Sequence, residues 1–123
     1  MMANEVIVAG SLQYTDANSA TDSLQIAPLT FSVATVGMLH LTQSIPTAGA
    51  AINLGGLGTL GQVMIVNRDT TNYVDIYTAS GGTKFAKLLA GRFLILPISS
   101  NLTAPYAQAN TAAVIIEYMM TNI

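Results

Sequence analysis

The sequence is poor in charge. Asp, Glu, Lys and Arg together make up 8% of its 123 residues, whereas an average soluble domain carries about 25%. The four basic residues all lie after position 67. Clusters of Lys and Arg attract a protein to nucleic acid or to an anionic membrane surface, and four dispersed cations neutralise few phosphates. We therefore expect no nucleic-acid partner and no membrane partner.

Cysteine, tryptophan and long hydrophobic runs are also lacking. Without cysteine, the chain can form no disulfide, no thiolate metal site and no cysteine nucleophile. A membrane-spanning helix needs about 20 consecutive apolar residues, and the two most apolar stretches, 88–98 and 112–120, each contain a charged residue. The N-terminus has Asn4 and Glu5 where a signal peptide would begin its apolar run. We therefore expect synthesis in the cytoplasm.

Small polar residues and alanine take the place of the missing charge. The chain contains 14 Thr, 8 Ser, 8 Asn and 17 Ala, and its hydrophobic fraction is 51%. Disordered chains combine high charge with low hydrophobicity, which is the opposite composition. The length suits one core, so we expect a single folded domain over 1–123.

Short apolar runs rich in Val, Ile, Thr and Tyr alternate with clusters of Gly, Asn, Asp and Pro, and no segment keeps apolar residues at helical spacing. This pattern predicts an all-β fold, which we interpret as an antiparallel β-sandwich, jelly-roll-like, with a long Gly-rich loop. Loops are expected over Thr15–Ser23 and, around a short strand, over Ser44–Gly61. The predicted strands are Glu5–Ala9, Leu24–Ile26, Leu29–Thr35, Met38–Thr42, Ala51–Leu54, Gln62–Asn67, Tyr73–Thr78, Thr83–Leu88, Arg92–Ile98 and Ala112–Thr121.

The stretch 61–98 has the clearest turn signals. Residues 68–72 and 80–82 each join two apolar runs, and Gly91 separates two more. Asp and Asn favour turns through bonds to the local backbone, and glycine supplies positive φ without steric cost. We therefore predict that these strands pair in sequence order, as an antiparallel meander.

Alternation along the strands predicts which side chains face the core. In the run 73–78 the odd positions share one face, and Val74 and Ile76 lie on the other, which we expect to be buried. The runs 63–66 and 114–116 are apolar on both faces. Such strands are either central in a sandwich or covered by another subunit.

The residues that could carry chemistry have simpler interpretations. Gly56–Gly61 matches G-x-G-x-x-G but precedes a strand-like run instead of a helix, so it is interpreted as a loop. His40 is the sole histidine and is interpreted as structural or interfacial. Asp69 fits a turn, and Glu117, in an apolar strand, needs a partner such as Arg92 or a lysine. We expect no catalytic residue, no metal, no cofactor and no enzymatic activity.

The second half of the chain combines several short signatures. Residues 61–76 read GQVMIVNRDTTNYVDI, in which a strand ends in Asn-x-Asp and Thr-Asn-Tyr-Val follows. The later matching residues are Phe85, Lys87, Leu88, Gly91, the Ala104–Ala113 region, and Glu117 with Tyr118. With these signatures the chain resembles small β-rich virion proteins of tailed bacteriophages. The resemblance implies a structural role and supplies no catalytic residues.

Taking the resemblance together with the composition, we expect a non-enzymatic bacteriophage virion structural protein, foremost a capsid decoration or cement protein, made in the host cytoplasm and located in the virion. Its expected partners are itself, as a homo-oligomer with a trimer favoured, and major capsid or tail proteins. Low charge and strands that are apolar on both faces suit such permanent packing. A tail, neck or fibre-base protein remains an alternative, as does a host-glycan recognition module using Tyr73 and Tyr77.

The Gly-rich stretch Ala48–Gly61 and the N-terminal residues are the expected docking arms. The residues expected at subunit or capsid contacts are Ile52, Leu54, Leu57, Leu60, Tyr73, Tyr77 and Met119.

Overall fold

The computed structural model describes residues 5–32, 37–57, 60–97 and 104–122. All regular structure in these ranges is β-strand, and every strand pairing is antiparallel, which confirms the all-β prediction. The strands are β1 (Glu5–Thr15), β2 (Thr21–Ser32), β3 (Met38–Ile45), β4 (Ala50–Ala51), β5 (Leu60–Asn67), β6 (Val74–Tyr77), β7 (Lys84–Leu88), β8 (Phe93–Pro97), β9 (Tyr106–Ala109) and β10 (Val114–Asn122).

The chain divides into two compact units, Met1–Thr35 and Val36–Ile123, a division that the expectation of one domain over 1–123 did not include. Parts of four predictions lie outside the described residues. They are the first residues of the N-terminal arm, the strand end at 33–35, Gly58 with Thr59 in the Gly-rich stretch, and Ile98.

The first unit is a hairpin of β1 and β2, whose register runs from Glu5 opposite Ser32 to Thr15 opposite Thr21. The turn is closed by Asp16, whose Oδ1 accepts hydrogen bonds from the backbone N–H groups of Asn18 (2.8 Å) and Ala20 (2.9 Å). The strands are longer than predicted, since the expected loop Thr15–Ser23 shrinks to this turn. The reason is that Ser, Thr and Gln alternate with apolar residues and pair across the strands as one polar face.

The eight strands of the second unit pair from the outside inwards: β3 with β10, β4 with β9, β5 with β8 and β6 with β7. Two further pairings join these ribbons into two sheets, ordered β3-β10-β5-β8 and β4-β9-β6-β7. The predicted sequential meander is therefore wrong, although β6 and β7 do form the expected hairpin. The turns at 68–72 and 89–92 carry the chain from one sheet to the other instead of reversing it within a sheet.

Both four-stranded sheets contribute to one hydrophobic core. Val74 and Ile76 are completely buried in it, which confirms the predicted inner face of β6. Strand β9 was not predicted because Ala107 and Ala109, which face the core, are too small to give a hydrophobic signal. The buried hydrophobic residues are Ile45, Ile52, Leu57, Leu60, Val63, Ile65, Val74, Ile76, Leu88, Ala107, Ala109, Val114, Ile116, Tyr118 and Met120.

Asn67, at the end of β5, is a polar side chain with no solvent exposure. Its Nδ2 donates hydrogen bonds to the carbonyl oxygens of Asn72 and Leu88, both at 2.9 Å. Its Oδ1 accepts one from the backbone N–H of Asp69 at 2.8 Å. The amide thus ties β5 to the following turn and to the end of β7, which belongs to the other sheet.

Asp69 shapes the turn that follows. Its Oδ1 accepts hydrogen bonds from the backbone N–H groups of Thr71 (2.7 Å) and Asn72 (2.6 Å), which confirms its interpretation as a turn residue. These bonds, that from Asn72 foremost, favour the ionised carboxylate and lower the pKa of Asp69. The turn brings the Asn72 carbonyl back to the Asn67 amide, which donates a hydrogen bond to it.

Candidate functional site

The second unit presents an apolar face on the outside of the sheet β3-β10-β5-β8. On the central strand β10, Ile116 and Tyr118 are buried, while Ile115 and Met119 point to the opposite side and are exposed. Residues directly opposite each other on antiparallel strands share a face. Met119 pairs with His40 on one side and with Met64 on the other.

Two rows of side chains cross the whole sheet on this side. The first is His40, Met119, Met64 and Ile95, and the second is Thr42, Glu117, Val66 and Phe93. Five large apolar residues within or beside these rows remain between 36% and 59% exposed. We call these five the exposed sheet face: Met64, Phe93, Ile95, Ile115 and Met119.

A charged network lies beside these apolar residues, centred on Glu117. Its Oε2 lies 2.7 Å from Nε2 of His40. Its Oε1 accepts a hydrogen bond from Nε of Arg68 at 2.7 Å, and Nη2 of the same guanidinium also lies 2.7 Å away as an ion pair. The prediction that Arg92 or a lysine pairs with Glu117 is wrong. Arg68 follows β5, which is hydrogen-bonded to β10, and its own N–H donates to the Ile115 carbonyl (2.9 Å), whereas Arg92 precedes the edge strand β8.

The network favours the charged form of Glu117. The hydrogen bond with His40, and then the bonds and charge of Arg68, lower the pKa of the carboxyl. All three side chains are substantially open to solvent. Exposed ion pairs add little to folding stability, so the network mainly fixes where three polar groups stand on an otherwise apolar surface.

His40 is held in place by the network. Within the described ranges, its ring makes one side-chain hydrogen bond, to Glu117. A carboxylate that orients an imidazole is one half of a catalytic triad, but nucleophilic catalysis also needs a hydroxyl or thiol on the other ring nitrogen. Residues 5–32, 37–57, 60–97 and 104–122 also contain no group of three His, Asp or Glu placed to bind a metal ion. The arrangement is suited to positioning charge on a contact surface.

The expected contact residues of the Gly-rich stretch lie elsewhere. Ile52, Leu57 and Leu60 are buried in the core of their own chain, and Leu54 packs against it. Gln43 holds the stretch in place: its Nε2 donates to the Ala51 carbonyl and its Oε1 accepts from the Asn53 N–H, both at 2.9 Å. The tight turn that follows has positive φ at Gly55 and Gly56. In the described structure these four side chains serve intrachain packing.

Tyr77 ends strand β6 of the other sheet, and Tyr73 immediately precedes that strand. The Lys87 ammonium stands 4.3 Å from the centre of the Tyr73 ring, and Tyr77 meets Tyr106 edge to face at 6.1 Å between ring centres. Both tyrosines are partly buried by these contacts. Of the seven expected contact residues, Met119 alone lies on the exposed sheet face.

Most of the exposed sheet face was missed at the level of single residues. The runs 63–66 and 114–116 were recognised as apolar on both faces, which is the pattern that places Met64 and Ile115 outside. The same pattern is present in Phe93-Leu94-Ile95-Leu96, where Leu94 and Leu96 pack against the core and Phe93 and Ile95 face outwards. Strands that are apolar on both faces therefore indicate the residues of the exposed sheet face.

The described residues include no helix that is long and apolar enough to span a membrane. In comparisons with known proteins, no family model, no curated protein and no solved structure matched this chain.

Proposed function

We propose that this chain is a non-enzymatic structural protein of a bacteriophage virion, a capsid decoration or cement protein that assembles as a homo-oligomer on the particle. The exposed sheet face is the observation that carries the proposal. Its five large apolar side chains lie on adjacent strands of one sheet, and monomeric soluble proteins rarely keep a large contiguous patch of this kind in water. A permanent protein–protein contact removes it from water and gains the corresponding hydrophobic free energy.

The strand order supports the architectural part of the proposal. Eight antiparallel strands that pair first with last, second with seventh, and so on inwards follow the path of one long ribbon folded over on itself. That path corresponds to the double Greek key of a jelly roll. Because both sheets supply side chains to one core, we propose a jelly-roll β-sandwich for the second unit. Viral capsid proteins are among the proteins that use this architecture.

The charged network gives the proposed contact an orientation. Buried apolar area is not directional, whereas charges at an interface select the register in which two surfaces meet. Glu117 lies between Ile115 and Met119 on the outer side of β10, and it is joined to His40 on the edge strand β3 and to Arg68 after β5. A subunit or capsid surface carrying complementary polar groups would therefore dock in one orientation.

Repetition makes the proposed attachment strong. In a symmetric homo-oligomer, for which we favour a trimer, each copy adds a contact of the same kind, and linked contacts multiply the residence time on the particle. The major capsid protein is the proposed neighbour, with a tail or neck protein as the alternative location. The N-terminal residues remain a proposed docking arm, whereas the Ala48–Gly61 stretch does not, because its apolar side chains pack within their own chain.

The experiment that tests this proposal is a copy-number measurement on virus particles purified from the source of the sequence. Quantitative mass spectrometry is expected to find hundreds of copies per particle for a decoration protein, whereas a few dozen in multiples of three or six would place the protein in the tail. A chain that does not co-purify with particles overturns the proposal.

A matched pair of variants ties the attachment to the surface. The variant Phe93→Ser/Met119→Ser removes two exposed apolar side chains from the exposed sheet face and is expected to abolish rebinding to particles that lack the protein. Phe85→Ser/Leu89→Ser removes two apolar side chains of similar exposure (45% and 52%, against 59% and 40%) outside this face and is the control. Equal rebinding by both variants contradicts the assignment of the surface.

A further inference from the structure

The first unit is a two-stranded hairpin with unusually long strands, 11 residues in β1 and 12 in β2. A two-stranded hairpin by itself is at best marginally stable in water, because it has no third layer against which to bury side chains. The hairpin therefore needs a surface that covers one of its faces. The distribution of its side chains identifies which face that is.

The two faces of the hairpin differ sharply in polarity. The pairs Ser11–Gln25, Gln13–Ser23 and Thr15–Thr21 lie on one face and are polar, and Ile7, opposite Thr30, is the large apolar residue that shares this face. The alternate pairs Val8–Leu29, Gly10–Ile26 and Leu12–Leu24 bring apolar residues together on the other face, which also holds the pair Tyr14–Asp22 beside the turn. We call this second set the apolar hairpin face: Val6, Val8, Leu12, Tyr14, Leu24, Ile26 and Leu29.

A bulge keeps the apolar residues in phase. Ile26 and Leu29 are three positions apart, an odd number that would put them on opposite faces of a regular strand. The register shifts between Val8 and Gly10, where Ala9 alone stands opposite two residues of β2. An inserted residue of this kind reverses the alternation on one strand. Leu29 therefore lies opposite Val8 and Ile26 opposite Gly10, all on the apolar hairpin face.

The exposed area is large enough for a stable contact. The five largest side chains of this face, those of Leu12, Tyr14, Leu24, Ile26 and Leu29, are between 48% and 77% exposed. At about 200 Å² for a fully exposed large side chain, they offer about 600 Å² per hairpin. Two such faces packed together would bury about 1,200 Å², which reaches the range of specific, stable protein interfaces.

We propose that the apolar hairpin face is the self-association surface of this chain and that the same hairpin in neighbouring copies covers it. The inference rests on the proposed function, which requires a homo-oligomer. The segments 6–15 and 23–32 contain no charged residue, and among the described pairs of this face the one charge is that of Asp22, beside the turn. From Val6 to Leu12 the face therefore offers a charged partner nothing to pair with. An identical face is apolar over the same length, and it is present at equal concentration in every symmetric assembly. The polar face stays in water.

Paired lysine substitutions test the surface on the full chain. Leu12→Lys/Leu24→Lys places two charges in one cross-strand pair of the apolar hairpin face. Gln13→Lys/Ser23→Lys places the same charges in the adjacent pair of the polar face and is the control. Light scattering coupled to sizing is expected to find an oligomer for the unmodified chain and the control. The first variant is expected to associate at least about 100-fold more weakly, because lysines buried in the contact would lose their hydration.

Single cysteines locate the contact, because the chain has none of its own. After oxidation, at least one of Leu12→Cys, Leu24→Cys and Leu29→Cys is expected to give a disulfide-linked dimer, since one cysteine per chain can link two chains. The controls Gln13→Cys, Ser23→Cys and Gln25→Cys are expected to stay unlinked. Crosslinking restricted to the apolar positions supports the inference even if the lysine variant folds poorly.

The outcomes separate this inference from the proposed function. An unmodified chain that is oligomeric and particle-bound, but whose two lysine variants associate equally well, overturns the hairpin contact and leaves the virion role intact. Crosslinking that is equal on both faces, or absent from both, does the same. A chain that is monomeric at every concentration and absent from particles overturns both.

Discussion

Replacing Asn67 by alanine should be among the most damaging single substitutions in the second unit. The side chain is fully buried and makes three hydrogen bonds, donating to the Asn72 and Leu88 carbonyls and accepting from the Asp69 N–H. Alanine leaves these three backbone groups without those bonds, of which the one to Leu88 is buried and the other two are partly buried. A buried polar group that loses its partner costs about 1–3 kcal/mol. Allowing for partial relaxation, we expect the free energy of unfolding to fall by about 3–5 kcal/mol.

The variant Asn67→Asp distinguishes the contribution of the two donated hydrogen bonds from that of the accepted one. Its size and one acceptor oxygen are kept, but the amide that donated to two carbonyls becomes a carboxyl. Burial disfavours the ionised form and raises the pKa of the new carboxyl in the folded state. The loss of stability should therefore be smallest below the unfolded pKa of about 3.9. It should grow as the pH rises to the raised folded value and stay constant above it.

Urea unfolding followed by circular dichroism measures both effects, since the chain has no tryptophan. The matched control is Asn53→Ala, which removes an exposed amide whose Oδ1 accepts one hydrogen bond, from the Gly55 N–H (2.9 Å). That change should cost no more than about 1 kcal/mol. If Asn67→Ala destabilises the protein no more than Asn53→Ala, the role assigned to Asn67 in joining the two sheets is refuted.

Two further predictions concern a turn and the charged network. Gly49→Ala should lower the free energy of unfolding by about 2 kcal/mol more than Gly56→Ala does. Both glycines have nearly the same φ, +87° and +88°, so the backbone strain is equal. A Cβ at position 49 would lie 2.6 Å from the Tyr106 ring, whereas one at position 56 meets nothing within 4 Å. Equal urea midpoints for the two variants would contradict this. Glu117→Gln should flatten the dependence of Tm on acidic pH. Because the pKa of Glu117 is lowered from 4.5, its stabilisation is present above that value and lost as the pH falls through the folded pKa. Parallel melting profiles of variant and unmodified chain would refute it.

Local features of this protein could be predicted from its sequence. The alternation at 73–78 correctly predicted that Val74 and Ile76 are buried. Asp69 could be predicted as a turn residue because its hydrogen bonds reach only two and three residues along the chain. The β6–β7 hairpin is likewise signalled by adjacent glycines. Each of these features depends on strand periodicity or on turn chemistry within a few residues.

The sequence predicted that an apolar contact surface exists, but not which residues form most of it. Two-sided apolar strands indicated that some face would need covering, and Met119 was expected at a contact. Which residues share that face depends on which strands are neighbours, and the predicted meander gave β5 and β8 the wrong neighbours. Ile52 is the opposite case: it was expected at a contact with another subunit, but its apolar side chain is buried in the core of its own chain.

By itself, the sequence determined the all-β class, the main turns and the scarcity of charge, because all of these depend on composition and on short-range backbone preferences. The tertiary structure alone decided that the first strand of the second unit pairs with the last, and that Glu117 meets Arg68 and His40. Those partners lie 49 and 77 positions away along the chain. The physical reason is that antiparallel pairing is chosen by the total packing of both sheets on one core, a sum over distant residues that no local pattern contains.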